Sequence, residues 1–352
     1  MKKKITIDKI AEMAGVNSST VSRALNPATA NRISAVQREK IIRICDELNY
    51  RPRASARAFA SGRTSRIVLI LADIVKDFLT PSLADYIAGL SFQLQKYGYS
   101  LAIHALDWNV PDKEKWLQDF LRSEQGDGYI LGSGILDARS VEIIKKLKQP
   151  VFQLAHHRSI SYDIPAIITN DAPAVRMLLQ RIPGTFAGRM LLCGVQDEVG
   201  ESMTLKFQTI RQALSELNMP EDTFETRVFR AAVRGSHINR SNAVAFAETN
   251  LDYLKKFSFI WCDSDLTALG IADVLARSGV VPGKDVMFAG FDNIERISGE
   301  PHPFMTTIDY RRCDGGIATA DMLIAVLQGK RDIGNVVTDS VYTERESFCI
   351  MK

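Results

Sequence analysis

Eight apolar runs separated by longer amphipathic stretches limit the fold of residues 67–352 more than any other feature of this chain. They are IVLILA (67–72), SLAIHAL (100–106), GYILG (128–132), PVFQLA (150–155), AIIT (166–169), RMLLCGV (189–195), FSFIWC (257–262) and DVMFAG (285–290). A strand covered by helices on both faces reads as a continuous apolar run, whereas a strand with one wet face alternates. The intervening segments are long enough for crossover helices, so the region is expected to be α/β with parallel sheets. Its size exceeds what one core usually supports, and two subdomains follow.

The preceding residues have a different period. Residues 6–26, TIDKIAEMAGVNSSTVSRALN, predict two short helices joined by a tight turn. Thr6 is placed to cap the first helix, and Asp8 in its first turn suits the helix dipole. Ile10, Ala11 and Ala14 share a face, and Gly15 supplies a turn where a side chain would crowd the second helix. Asn17 is a good N-cap for that second helix, with Ser18, Ser19, Thr20, Ser22 and Arg23 outward and Val21, Ala24 and Leu25 inward. Small hydroxylated residues around one arginine suit a helix that enters the major groove of DNA. An ordinary surface hairpin is the plainer alternative. Ser34 and Gln37 then form a capping box at the head of a third helix, whose Ile41, Ile42, Cys45 and Leu48 can close a three-helix core. Asn49 and the Tyr50-Arg51-Pro52 stretch end it.

Charge separates the same two parts. Residues 1–66 carry 14 Lys and Arg against 5 Asp and Glu, and the remainder carries 30 against 36. A basic head on an acidic body implies a polyanionic partner at one end only. The start MKKK leads into an amphipathic helix and not into an apolar export segment, and no stretch is long enough to span a membrane, so a cytoplasmic protein is expected. The five cysteines are scattered without a C-x-x-C pair and read as buried thiols.

The run T-I-D-K-I-A-E-M-A-G-V-N-S-S-T-V-S-R-A-L-N, followed by L-N-Y-R-P-R-A-S-A-R-A-F-A, resembles the DNA-binding headpiece and hinge of the lac/gal repressor family. D-S-D-L-T-A-L-G (263–270), D-V-M-F-A-G-F-D-N (285–293) and P-F-M-T-T-I (303–308) resemble parts of that family's effector domain. The resemblance implies a three-helix helix-turn-helix headpiece over 1–50, a hinge over 51–64 and a two-subdomain effector and dimerisation domain over 65–352. That domain is of the type I periplasmic-binding-protein kind, with three crossovers and a ligand cleft between subdomains. The subdomains are placed near 65–168 with 293–328, and 169–292 with 329–352.

The resemblance also distributes roles. Ser18, Ser19 and Arg23 would read bases of a pseudo-palindromic double-stranded operator, while Thr6, Asn17, Thr20, Ser22 and Asn26 would hold phosphates. Arg53, Ala56, Arg57 and Phe59 would form a hinge helix on DNA. Phe59 stands where relatives have a leucine that wedges into the minor groove, and packing of Phe59 within the protein is the alternative. Ser264 and Asp292 would face the effector at strand carboxyl ends. Lys206 falls where many relatives carry an arginine clamp, with Ser202 nearby and Phe78 as an aromatic wall. Lysine offers a point charge instead of a planar fork, so no relative's specificity transfers directly. Asp265 is expected to cap the helix after FSFIWC, and His156 or His157 could line the cleft.

No cofactor is expected. Gly132-Ser133-Gly134 lacks the third glycine of a dinucleotide fingerprint, and no phosphate loop, nucleophile elbow or metal-spaced set occurs. The leading reading is therefore a dimeric, ligand-responsive transcriptional repressor whose effector is a sugar or related metabolite. An activator or a ligand-independent regulator of the same fold, and more remotely a solute-binding receptor, are the alternatives.

Overall fold

The computed structural model describes residues 5–348 except 26–28, 52–62, 72–80, 106–111, 124, 133–137, 157–163, 184–185, 187, 197–200, 221–222, 231–238 and 331–333. Asn26, Arg53, Ala56, Arg57, Phe59, Phe78 and His157 lie outside the described residues. The chain divides into two compact units, Met1–Ser65 and Arg66–Lys352.

In the first unit α1 (Ile7–Ala14), α2 (Ser18–Leu25) and α3 (Ala35–Glu47) enclose Ile10, Ala11, Ala14, Val21, Ala24, Ile41, Ile44 and Cys45. Ile42, expected inside, is only partly buried, and Ile44 takes the inner position. Gly15 ends α1 at φ +71°. A side chain there would meet nothing within 4 Å, so the left-handed backbone requires the glycine, not crowding by α2. Thr6 holds the N-cap position without a side-chain capping bond. Asn17 does cap: its Oδ1 accepts from the Thr20 amide at 2.8 Å. Ser34 Oγ accepts from the Gln37 amide at 3.3 Å at the head of α3. From α3, Lys40 Nζ donates to the Ala14 carbonyl (2.9 Å) and Arg38 Nε to that of Ala24 (3.3 Å). Both cations thus sit at the carbonyl ends of the other two helices, where the helix dipole favours them.

The second unit contains, in chain order among the described residues, β1 (Arg66–Leu71), α4 (Pro81–Lys96), β2 (Ser100–Ala105), α5 (Lys113–Arg122), β3 (Gly128–Leu131), α6 (Ala138–Ile144), β4 (Val151–His156) and β5 (Ala166–Asn170). Then come α7 (Ala172–Gln180), β6 (Met190–Gln196), α8 (Glu201–Glu216), β7 (Phe224–Arg230), α9 (Asn239–Thr249), α10 (Leu251–Leu254), β8 (Phe259–Cys262), α11 (Asp265–Arg277), β9 (Met287–Phe291) and α12 (Ile294–Ile297). The chain closes with β10 (Thr306–Asp309), α13 (Arg312–Leu327), β11 (Val336–Asp339) and β12 (Val341–Thr343).

The strands form two six-stranded sheets, ordered β11-β5-β4-β3-β1-β2 and β12-β10-β9-β8-β6-β7. All neighbours are parallel except β10 and β12. Each of the eight apolar runs lies in a strand, and the central β1, β3, β8 and β9 are almost wholly buried. The more polar β7 and the short β11 and β12 lie at sheet edges, where one side of the backbone is unpaired, and they lack the apolar run of a central strand.

The chain crosses between sheets after β5, after β10 and at Ser340 between β11 and β12. Residues 294–309 therefore belong with the second sheet and 336–339 with the first, unlike the limits drawn at 292 and 329. Loops at Asp292 and Gly329 look like boundaries in sequence, but parallel pairing of β10 with β9 and of β11 with β5 carries each subdomain past them. In the first subdomain α4 and α13 pack backbone to backbone. A Cβ on Gly89 would collide with the Cys313 carbonyl, and one on Gly316 with the Tyr86 carbonyl.

Candidate nucleic-acid interface and candidate effector site

On α2, Ser19, Ser22 and Arg23 are exposed and Ser18 and Thr20 partly so, while Val21 and Ala24 are buried. This is the arrangement the helical period predicts. The polar face is internally linked. Ser19 Oγ donates to Asn17 Oδ1 (2.7 Å) and accepts from Arg23 Nη2 (3.2 Å), while Thr20 Oγ1 donates to the same Asn17 oxygen (2.7 Å). Arg23 is thereby steered along the exposed face one turn from the helix start. Ser18 Oγ donates to Asp8 Oδ1 on α1, so its hydroxyl ties the two helices together. Spacing along one helix could not show that bond.

At the carboxyl end of the second sheet, β8, β9 and β10 bring a second set together. Lys206 on α8 is buried at 7 % exposure. Its Nζ donates to the Asp263 carbonyl at 2.7 Å and lies 4.9 Å from the Phe291 ring centre and 5.3 Å from that of Tyr310. A buried ammonium needs such partners, and two ring faces and a carbonyl supply them. Asp263 Oδ2 accepts from the Val195 amide. Burial pushes its carboxyl up to about 6, opposed by Lys206 and assisted by the charge of Asp292.

Asp292 and Asn293 follow β9 with φ +93° and +55°, a conformation that strains side-chain-bearing residues. The strain is held by several bonds. The Asp292 amide donates to Ile308, the Asn293 amide to Thr307 Oγ1, and Asn293 Nδ2 to Asp309 Oδ2 at 2.8 Å. Arg345 also donates to Asn293 Oδ1. The Asp292 carboxylate, half exposed, has no hydrogen bond or ion pair among the described residues.

Ser264, expected to face an effector, is the N-cap of α11. Its Oγ accepts from the Thr267 amide at 3.2 Å and shares a hydrogen bond with Thr267 Oγ1. Asp265, expected to cap, is instead fully buried, and its carboxylate accepts from the Ile294 amide at 2.9 Å. Burial drives its carboxyl well above the usual range. The cap moves back one residue because Ser264 has the extended backbone that an N-cap needs. Ser202 lies in the first turn of α8, and His156 ends β4.

Sequence reading missed Tyr310. It is 2 % exposed, its ring lies 4.6 Å under the Arg312 guanidinium, and Arg312 Nη1 donates to Thr169 Oγ1 at 2.7 Å. Burial and then the charges of Asp171 and Asp292 raise its phenol well above the ordinary value. The available signal was its place directly after the strand TTID, two residues beyond the motif that was noticed. A surface depression lined by Arg211, Ser215, Asn218, Met219, Phe224 and Thr226 lies beside edge strand β7 and shares no residue with this cluster.

Among the described residues no group of three or more His, Cys, Asp or Glu could hold a metal ion, and no helix is long and apolar enough to cross a membrane.

Residues 6–53 match the model of bacterial regulatory proteins of the lacI family, and residues 187–348 match that of the periplasmic binding protein-like domain. Catabolite control protein A of Priestia megaterium is 27 % identical over 336 residues, covering 95 % of both chains. The lac repressor dimer bound to operator and the anti-inducer ONPF shares the fold, with a TM-score of 0.78, 20 % identity, and coverage of 99 % of this chain and 100 % of that one. The regulator CelR in complex with cellobiose aligns with a TM-score of 0.63 and 20 % identity, over 98 % of this chain and 100 % of that chain.

Proposed function

Since the chain belongs to the LacI family and is a DNA-binding transcriptional regulator, we propose that it is a homodimeric repressor whose operator affinity is set by a small effector, a sugar or related metabolite. The observation that carries the effector half is the Asp292 carboxylate, without a partner among the described residues, held at a strained strand end where its charge acts on Asp263 and Tyr310. Open α/β sheets collect ligands at the carboxyl ends of their strands, and a carboxylate there can accept two sugar hydroxyls. The lac repressor binding operator as a dimer, and CelR binding cellobiose, support the same reading for this chain.

Arg23 reads a base in the major groove, with Ser19 positioning it and Ser18 at the helix start. Thr6, Asn17, Thr20, Ser22 and Asn26 lie along the phosphates, and Arg53, Ala56, Arg57 and Phe59 form a minor-groove hinge. Two headpieces on two half-sites supply the affinity that one cannot, so the working form is a dimer in the cytoplasm. An effector shifts operator affinity only by its preference for one subdomain arrangement, typically about 1–3 kcal/mol.

Genome-wide footprinting with and without candidate sugars tests the whole reading. Footprints over promoters that a sugar relieves, and transcripts that rise when the gene is deleted, support a repressor. Transcripts that fall on deletion identify an activator. Asp292→Ala should abolish the sugar response while leaving the footprints in place, and an unaltered response removes Asp292 from the site.

A further inference from the structure

The negative balance of the second unit conceals a basic edge. All neighbouring strands of the first sheet are parallel, so their amino ends share one edge and their carboxyl ends the other. Residues 63–66, 96–99, 122–127, 145–150 and 328–335 lead into the amino ends of β1, β2, β3, β4 and β11. They carry nine Lys and Arg against three Asp and Glu. Residues 72–80, 106–112 and 132–137, which leave the carboxyl ends of β1, β2 and β3, carry one against five. Residues 157–165 run from one edge to the other and belong to neither count. Sequence and strand direction fix this division, whatever path each loop takes.

The cations form a row that follows the strand order. Lys145, Lys146 and Lys148 precede β4, Arg122 precedes β3, and Arg63 and Arg66 stand at β1, the neighbour of β3. Lys96, before β2, extends the row beyond β1. All seven side chains are exposed, whereas the carboxylate of Asp127 on the same edge belongs to a buried residue. Cations at helix ends complement the helix dipole, which accounts for Lys96 at the end of α4 and Arg122 at the end of α5. The dipole acts only over the last turn. It does not account for Lys148, four residues beyond α6, or for Arg66, the first residue of a strand.

The same edge receives the chain from the headpiece. Residues 48–65 separate α3 from β1, and these 18 residues reach at most about 65 Å when fully extended. One turn of duplex is about 34 Å, so a headpiece on DNA keeps this edge within about two turns of its own site. Tethering at that range raises the local concentration of a contact that would be weak by itself.

We propose that the amino-terminal edge of the first sheet is a second DNA contact, which holds phosphates of the duplex flanking the operator without reading its sequence. Exposed lysines and arginines gain affinity there by releasing the counterions of the phosphates they neutralise. The acidic carboxyl edge repels the same polyanion, which decides the edge that approaches DNA. This contact is separate from base readout by α2 and needs no effector.

The test measures binding of the full-length protein to a random-sequence duplex of about 60 base pairs between about 50 and 200 mM KCl. Arg122→Gln/Lys146→Gln/Lys148→Gln removes three charges from the edge. Lys255→Gln/Lys256→Gln/Lys284→Gln removes three exposed charges from the second subdomain and serves as the control. Each phosphate contact contributes about 0.9 to the slope of log affinity against log salt, so the edge variant should flatten the slope by about 2–3. The control should leave it nearly unchanged. An unchanged slope in the edge variant overturns the contact, and so does equal flattening by both variants, which would report net charge alone. A difference that persists on a duplex of about 20 base pairs, which two half-sites fill, overturns the flanking position. Thermal unfolding reads the plainer role. The edge variant should melt with the wild type, and a lower midpoint with an unchanged slope assigns these cations to the helix ends instead.

Discussion

The polar face of α2 and the strand-end cluster of the second subdomain are built on opposite physical plans. In the headpiece Ser19, Ser22 and Arg23 are solvent-exposed, Arg23 is bonded to Ser19 within the one helix, and the face is backed by a core of eight small or aliphatic side chains. At the strand ends of the second subdomain the polar groups are buried, and most of their partners come from other elements: Lys206 on α8 against Asp263, Asp265 on α11 against Ile294, Arg345 against Asn293. A phosphate-studded partner supplies the field that orders the first surface, so its groups can stay wet until binding. The strand-end groups meet no such field, and the fold itself preorganises them through bonds between elements. Substitutions in the headpiece should therefore cost binding more than folding, and those in the body's interior should reach folding first.

Four measurements sharpen or break that contrast. The largest effect is expected at the α4–α13 contact. Gly316→Ala drives a methyl group into the Tyr86 carbonyl, backbone that cannot move aside, and should cost about 3 kcal/mol or more. Urea unfolding reads it, and an unchanged midpoint would mean that the two helices can separate freely.

Next is the pH dependence due to Asp263. Its carboxyl titrates near 3.8 when unfolded and near 6 when folded, so between those values the native state holds a proton that the unfolded chain has released. Stability from this group is therefore present below pH 3.8 and lost as pH rises towards 6, by about 3 kcal/mol in full. Asp263→Asn should flatten the urea midpoint over that window, and parallel profiles for the two proteins would refute the assignment.

Arg23→Ala comes third. It should weaken cognate operator binding by about 1–3 kcal/mol, affect random DNA much less, and leave the unfolding midpoint unchanged. Equal weakening on both DNAs would make Arg23 a backbone contact.

The smallest effect is on the cap of α2. Asn17 Oδ1 accepts from the Thr20 amide and from two hydroxyls, and Asn17→Ala should lower headpiece stability by about 1 kcal/mol, seen in the helical signal on heating. A headpiece that melts unchanged would show that the Asn17 bonds do not hold the start of α2.

The headpiece was legible in sequence because everything that defines it is local. The cap at Asn17, the turn at Gly15 and the split of Val21 and Ala24 from Ser19 and Arg23 follow from helical period and capping chemistry, although the left-handed backbone and not crowding is what requires the glycine. Even there, the failures came from through-space facts: Ser18 bonding to Asp8, Thr6 making no side-chain cap, and Ile44 displacing Ile42 from the core. The strand-end cluster was half legible. Lys206 lies on a helix and Asp292 directly after a strand that the sequence pattern predicts, whereas the burial of Asp265, the cap at Ser264 and the depth of Tyr310 depend on which strands become neighbours.

By itself the sequence determined the two-unit division, the buried central strands, the three headpiece helices and the polar face of α2. These depend on hydrophobic period and on caps, which act over a few residues. Only the tertiary structure decided that β10 belongs to the second sheet and β11 to the first, that Gly89 and Gly316 let two helices touch, and that Lys206 turns inward onto Asp263. Pairing between distant segments sets the burial and partners of a polar side chain, and no spacing along the chain encodes that.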